Sequence, residues 1–337
     1  MTKIDYSQIN NTVVKNLLKE AQKNGIQVKQ VDANFLTFSL EHKNKRHYFF
    51  HKKIGINPAN AALVSNKFLT IKILKEAGIK VPNAFLAEDI DQVRKLLKQK
   101  KIKFPFVIKP FDYSLGVAVT ANITDMQMIR MAIARLNLYW RKAKIWGKKK
   151  RRKLFLVEEH VKGNDYRLLV LNNKVVAVTQ RTYPEIVGNG QSSVLRLIQD
   201  YYKNHAYYQV KQRSPLIDQE LKRNLKQQAV NFKTILKKGK VIRLRQTANV
   251  FGGGVSINVT NKVHPSYKKI AIDACREIGL SLAGVDLMTK DISKKSDNYR
   301  IIEINSFPSL DMHENPDQGK PINVSKEILK SIFPGLK

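Results

Sequence analysis

AGVDLMTKDISKKSDNYRIIEINSFPSLDMH, residues 283–313, holds two apolar runs, each broken by oxygen-bearing side chains. Asp286 follows the run from Leu280 to Val285, and Glu303 and Asn305 sit inside the second, IIEIN. Two positions apart on a strand, Glu303 and Asn305 share a face, and Ile302 and Ile304 point to the other. Three oxygen side chains on neighbouring strands can converge on a hard cation such as Mg2+, which takes carboxylate, amide and phosphate oxygens. The plainer alternative is two strands with stray polar ends. A carboxylate that only capped a strand would need no partner two residues on.

A chain of 337 residues is long enough for two or three subdomains around a large core. It is 43% hydrophobic and has no apolar tract near the ~18 residues of a membrane span, which predicts a globular protein with no membrane partner. MTKIDYSQINN lacks the apolar segment of a signal peptide. The single cysteine, Cys275, can form no internal disulfide and is expected in the core. These features point to the cytosol.

Sixty-one Lys and Arg against 27 Asp and Glu leave a net charge of +34. Such a field attracts nucleic acid, anionic membrane or anionic small substrates. Many of the lysines lie on ordinary helix faces, as in DQVRKLLKQKKIK, where solvation alone accounts for them. RKAKIWGKKKRRK (141–153) differs because it joins a helix to a strand, and it reads as an exposed basic loop open to nucleic acid or another polyanion.

Three regions follow from the patterning. Residues 1–66 contain a helix, INNTVVKNLLKEAQKNG, and three strand-like runs, a small α/β unit. In 67–162, Asn66 caps the helix KFLTIKILKEAG. Strands and helices then alternate through EDIDQVRKLLKQK, FPFVIKP, VAVTA, TDMQMIRMAIARLNLYW and LFLVEEHV, which predicts a small mixed sheet with helices on one face. Region 163–337 holds DYRLLVLN and KVVAVTQRTY, joined by a turn at Asn172-Asn173. A Lys/Gln-rich middle (203–240) with a substrate-facing helix comes next, then the Asp286 and Glu303 strands and a last helix.

FPFVIKP ends a buried strand on Lys109, followed by a loop with Ser114 and Gly116; an ammonium beside a small-residue loop can hold phosphate oxygens. The P-loop spacing is absent. In VEEHVKGNDYR, extended backbone can meet a purine edge and Asp165 can accept from ribose hydroxyls, although a hairpin with exposed acids fits the same residues. RLRQTANVFGGGVSIN sets Arg245 and Asn249 before Gly252–Gly254, glycines that imply a sharp turn or a close approach. Arg167 and Arg181, with Arg245, could bind carboxylate or phosphate bidentately if they faced one cleft. GNG (188–190) reads as a tight turn. The seven histidines show no metal-ligand spacing, and His313 alone lies near the carboxylates.

In this order the motifs resemble the ATP-grasp superfamily, specifically the region shared by cyanophycin synthetase and bifunctional glutathione synthetase. The matching elements run from about residue 60 to the C-terminus and include NKFLTIKILKEAGIKVP, FPFVIKP, VEEHVKGNDYRLLV, RTYPEIVGNGQSSVLRLI, RLRQTANVFGGGVSINVT, HPSYKKIAIDACREIGLSLAGVDL and IIEINSFPSLDMH with GKPINV. The resemblance implies an α+β ATP-grasp fold with ATP clasped between two α+β subdomains. Residues 1–66 would be a shortened pre-ATP-grasp unit, 67–162 the small lid subdomain, and 163–337 the large subdomain with the metal and substrate site. It further implies an ADP-forming carboxylate–amine ligase working through an acyl phosphate on an amino acid or acidic peptide.

Carried over by motif, Lys67 and Lys109 would contact ATP phosphates under the Ser114–Gly116 loop. Glu158, Glu159, His160 and Val161 would line the adenine, and Asp165 would bind ribose. Asp286, Glu303 and Asn305 would hold Mg2+, with Mn2+ as an alternative. Arg245, Asn249 and Gly253 would steady the acyl phosphate and its oxyanion, and Arg167 and Arg181 would hold substrate. The phosphate loop, FDYSLGVAV, has fewer glycines than the family's usual version. Two other readings are a ligase with a macromolecular acceptor, as in ribosomal-protein glutamate ligases, and a nucleic-acid-binding protein on a degenerate ATP-grasp scaffold. A homodimer is compatible with either.

Overall fold

The computed structural model describes all residues except 1–3, 5, 7, 8, 10, 33–36, 51–53, 112–117, 146–152, 212, 213 and 337. Helix α1 (Thr12–Lys23) starts where the Asn11 side chain accepts from Val14 N–H, and it buries Val14, Leu17, Leu18 and Ala21 along one stripe. Strands β1 (Gln27–Asp32), β2 (Thr37–His42) and β3 (Lys45–Phe50) form an antiparallel sheet in that order. A 3-10 turn (Ala59–Ser65) leads into α2 (Lys67–Glu76), capped by the Asn66 side chain as the sequence predicts.

Next come β4 (Ala84–Ala87), α3 (Ile90–Lys98), β5 (Phe106–Pro110), β6 (Thr120–Ile123), α4 (Met126–Ile145) and β7 (Phe155–Glu159). The strand order is β4-β7-β5-β6 with every pair antiparallel, so the expectation of a mixed sheet is corrected. Helices α3 and α4 lie on one face, where Val93, Ile129 and Leu136 pack on Phe106, Ile108, Phe155 and Val157. Strand alternation turns Lys109 and Glu158 to the opposite face.

Strands β8 (Asn164–Leu171) and β9 (Lys174–Thr182) form a hairpin whose turn residues, Asn172 and Asn173, both have positive φ (45° and 59°). The pair β10 (Glu185–Val187) and β11 (Val241–Arg243) brackets α5 (Val194–Asn204), α6 (Ala206–Lys211) and α7 (Gln219–Gln227), which share a core of their own. Then follow β12 (Val255–Asn258), α8 (Pro265–Ile278), β13 (Leu282–Thr289), β14 (Tyr299–Asn305), α9 (Asp311–Glu314) and α10 (Val324–Ile332). The large sheet runs β12-β9-β8-β13-β14, all antiparallel.

One face of this sheet is apolar and packs on α8 and α2 through Tyr267, Ala271, Cys275 and Leu74. The other face is divided. Leu169, Leu171, Ala177 and Leu282 pack on α1, the N-terminal sheet and α10, whereas Asp165, Arg167, Thr179, Arg181 and Asp286 occupy the same face farther along the strands. Residues 1–66 share their core with the large sheet, and α2 packs both on that sheet and on β4 of the unit that follows it.

Between β13 and β14 the register runs Asp286 to Glu303 and then Leu287 to Ile301, leaving Ile302 as the extra residue of a bulge. Ile301 and Ile304 are therefore the core residues and Ile302 is half-buried, correcting the strict alternation expected of IIEIN.

Candidate functional site

A cleft of about 620 Å³ opens on the polar half of the large sheet, lined there by Arg167, Arg181, Asp286, Glu303 and Asn305. Its walls come from the start of α1, the loop before the 3-10 turn, the end of α6, the segment Asn249–Phe251 and the loop into α9. Four strands contribute one rung. Glu303 lies opposite Asp286, Asp286 opposite Arg167, and Arg167 opposite Thr179. Cross-strand neighbours on one face are close enough to pair, so the rung becomes an ion network.

Arg167 grips Asp286 with two nitrogens, Nε on Oδ1 and Nη2 on Oδ2 at 3.1 Å. Arg181 Nη2 reaches the same Oδ2 at 3.2 Å. Burial alone would raise the Asp286 pKa, but the two guanidiniums outweigh it and hold the carboxyl below its usual range. In the amide orientation that satisfies both neighbours, Asn305 donates to Glu303 Oε1 at 3.2 Å and accepts from Arg167 Nη2 at 3.3 Å. Gly284 makes room for this arrangement, since a Cβ there would stand 2.8 Å from Arg167 Nη1. The three expected metal ligands and both expected substrate arginines are thus brought together. Among the described residues no group of three or more His, Cys, Asp or Glu side chains could hold a metal. Two carboxylates and an amide oxygen suit an ion that completes its shell with phosphate oxygens and water, as Mg2+ does.

Lys67, in the first turn of α2, donates to Glu303 Oε1 at 2.9 Å and so joins the set. Lys109 pairs with Glu158 Oε2 at 2.8 Å on the face of the small sheet away from its helices, with side chains only 6% and 3% exposed. Burial raises the Glu158 pKa against the opposing pull of Lys109. The carboxylate expected to line the adenine therefore turns inward to the lysine. Glu159 ends β7, its N–H on Asn83 O and its carboxylate on Asn83 N–H, and His160 and Val161 continue half-buried.

Asp165 lies opposite Arg181 and accepts on Oδ1 from its Nη2 at 2.6 Å, with the side chain still 27% exposed. One expectation is corrected. Arg245 does not line the cleft. It sits behind the glycine turn with its side chain 4% exposed, 3.0 Å from Asp218 and 3.3 Å from Glu220, two carboxylates at the start of α7. Asn249 does line the cleft, and its side chain caps Phe251 N–H at 2.8 Å.

The three glycines have separate causes. A Cβ on Gly252 would stand 3.0 Å from Arg245 Cδ, and one on Gly254 would stand 2.3 Å from Ala248 O. Gly253 has φ +95°, and a Cβ there would lie 2.7 Å from the Tyr202 ring. Their N–H groups donate to Asn249 O, Val250 O and Asn249 O, so none is directed at an oxyanion, which corrects the role expected for Gly253. The carbonyls of Phe251, Gly252, Gly253 and Gly254 meet Tyr208, Tyr202, Tyr201 and His205 in turn. The turn backs the cleft wall at Asn249–Phe251.

Ser114 and Gly116 lie outside the described residues, as does most of the basic loop at 141–153. His313 is buried beneath the rung with Nδ1 2.8 Å from Thr179 Oγ1. Burial, reinforced by Arg167 and Arg181, pulls its pKa down to about 3, so the ring is neutral. Sequence reasoning missed Asn57, which donates to Leu282 O and Ser306 O and accepts from Ser281 and Leu282 N–H. It also passed over Asp311, Lys211 and Thr12. The Asn57-Pro58 step offered a turn signal; the others offered none.

The chain matches the family described as RimK-like ATP-grasp domain over residues 64–191 and 185–332. It is 34% identical over 278 residues to the cyanophycin synthetase of Geminocystis herdmanii, a match covering 81% of this chain and 30% of that protein. With the glutathione biosynthesis bifunctional protein of Clostridium perfringens it shares 29% identity over 330 residues, or 94% of this chain and 40% of that one. Its fold is similar to a crystal structure of a bifunctional glutathione synthetase from Pasteurella multocida, with TM-score 0.69, 24% identity and coverage of 97% and 45%. The chain spans less than half the length of each of these proteins.

Proposed function

The chain belongs to the family of RimK-like ATP-grasp domains, and from that premise we propose that it is an ATP-dependent, ADP-forming carboxylate–amine ligase. Its substrate would be an amino acid or acidic peptide. The observation that carries this reading is the rung on which Asp286, Glu303 and Asn305 meet Arg167, with Arg181 on Asp286 and Lys67 on Glu303. Anionic oxygen ligands and cationic side chains alternate there at one end of a cleft, as phosphate chemistry requires.

In the proposed reaction a substrate carboxylate oxygen attacks the γ-phosphorus of ATP, and the bond to ADP breaks. The resulting acyl phosphate is then attacked by an amine: a C–N bond forms, phosphate departs, and the ammonium proton goes to solvent or phosphate. Lys67 and Lys109 would neutralise phosphate charge, and Arg167 and Arg181 would hold the carboxylate end. Asp286, Glu303 and Asn305 would hold Mg2+, which when bound supplies charge stabilisation at the phosphates. No side chain need act as a nucleophile, so positioning and charge carry the rate.

ADP release measured against a panel of amino acids and acidic dipeptides, with and without RNA, tests this reading. Amino-acid-dependent release that RNA leaves unchanged is expected. Release that requires a ribonucleoprotein would favour a macromolecular acceptor, for which the net charge of +34 is the supporting observation. No turnover with any mixture overturns the ligase reading. Among the described residues no helix is long and apolar enough to cross a membrane, and we place the activity in the cytosol.

A further inference from the structure

We propose that Asp311 and Lys211 form a clamp for the zwitterionic head group of an amino-acid substrate, with the ammonium on Asp311 and the carboxylate on Lys211. The inference rests on the ligase reading and names the substrate class at the same cleft. Asp311 opens α9 and is 5% exposed. Its Oδ2 is crowded, accepting from Thr12 Oγ1 at 2.9 Å and Ser309 Oγ at 3.2 Å, with Lys211 Nζ at 3.0 Å. Its Oδ1 is buried with no hydrogen-bond partner among the described residues. A carboxylate used only to tie α1, α6 and α9 together would gain nothing from a bare buried oxygen, because an unsatisfied acceptor weakens the fold. A charged donor brought in by a ligand would satisfy it after a turn of the carboxylate, since Oδ1 itself has less than 1 Å² of exposed surface.

Lys211 ends α6, and its side chain is 15% exposed, with Nζ 5.7 Å above the Tyr207 ring. Asp311, Lys211 and Tyr207 all line the same cleft as Asp286 and Glu303. The other charged lining groups are already matched, Arg167 and Arg181 to Asp286 and Lys67 to Glu303. The Asp311–Lys211 pair is the charged couple in the cleft whose carboxylate holds a buried oxygen without a partner among the described residues. Its two signs match an ammonium and a carboxylate carried by one carbon of the ligand. Thr12, at the start of α1, fixes the orientation of Asp311, which gives the N-terminal unit a part in recognition.

The test is calorimetric titration of the full chain, loaded with Mg2+ and a non-hydrolysable ATP analogue. The probes are L-aspartate, L-glutamate and L-alanine, each against its deamino counterpart succinate, glutarate or propionate. At least one amino acid should bind, its deamino counterpart at least tenfold more weakly. Asp311→Asn, which keeps an acceptor for Thr12, should bring that ratio close to one. Lys211→Met leaves Asp311 in place and should weaken both ligands together by at least tenfold. An Asp311→Asn protein that keeps the unaltered discrimination overturns the clamp, and so does a deamino acid that binds the unaltered protein equally well. If either result comes while amino acids still drive ADP release, only the clamp falls. Absence of amino-acid-dependent ADP release removes both readings.

Discussion

Lys67 Nζ lies 2.9 Å from Glu303 Oε1, tying the first turn of α2 to the strand that supplies two of the three candidate metal ligands. The lysine proposed for phosphate is thus already held against the carboxylate proposed for metal. Glu303→Gln keeps an acceptor for Lys67 but removes the charge. Turnover should fall by at least about 100-fold, the scale of a lost transition-state electrostatic contact, with an unchanged circular dichroism spectrum. Near-normal ADP release in this variant would sink the metal assignment.

Asp286 differs from Glu303 because it is the common partner of Arg167 and Arg181. Asp286→Asn leaves the buried Arg167 guanidinium short of a counter-charge, while Arg181 keeps Asp165, and breaking such a pair costs about 3–5 kcal/mol. Urea denaturation should place this variant well below Glu303→Gln in stability. Equal midpoints would mean that Arg167 finds another partner.

Gly253 cannot accept a side chain without strain. Its φ is +95°, and the Tyr202 ring lies 2.7 Å from where a Cβ would stand. Gly253→Ala should therefore destabilise the fold by about 1–3 kcal/mol. The damage should reach the cleft wall at Asn249–Phe251 and raise KM for the substrate. A thermal midpoint within about one degree of the unaltered protein, against the several degrees that such a loss implies, would show that the turn is free to relax.

His313 should make the fold acid-labile. Its folded pKa, about 3, lies below the ordinary value of 6.5, so between these limits the unfolded chain binds the extra proton. Its contribution to stability is complete above about pH 6.5 and declines as pH falls toward 3. His313→Gln should flatten that part of the stability–pH curve measured by urea titration. A curve of unchanged slope would show that other groups account for the acid loss.

The chain's own order of residues determined the element types and the candidate ligand set. Asn66 marks the start of α2, Asn172-Asn173 the hairpin, and the i, i+2 spacing of Glu303 and Asn305 their common face, because caps, turns and strand alternation are local physics. Local physics could not reveal which charges meet. Asp165 and Arg181 are 16 residues apart, and Arg167 and Asp286 are 119 apart, yet register sets each pair side by side. That register gave Asp165 an arginine partner, just as the α7 carboxylates hold Arg245 away from the cleft. The bulge at Ile302 and the meeting of Thr12, Lys211 and Asp311 likewise depend on packing between distant segments. Spacing along the chain decided which side chains could serve the site, and tertiary structure decided which of them meet in one cleft, since burial and counter-charge are properties of the assembled fold.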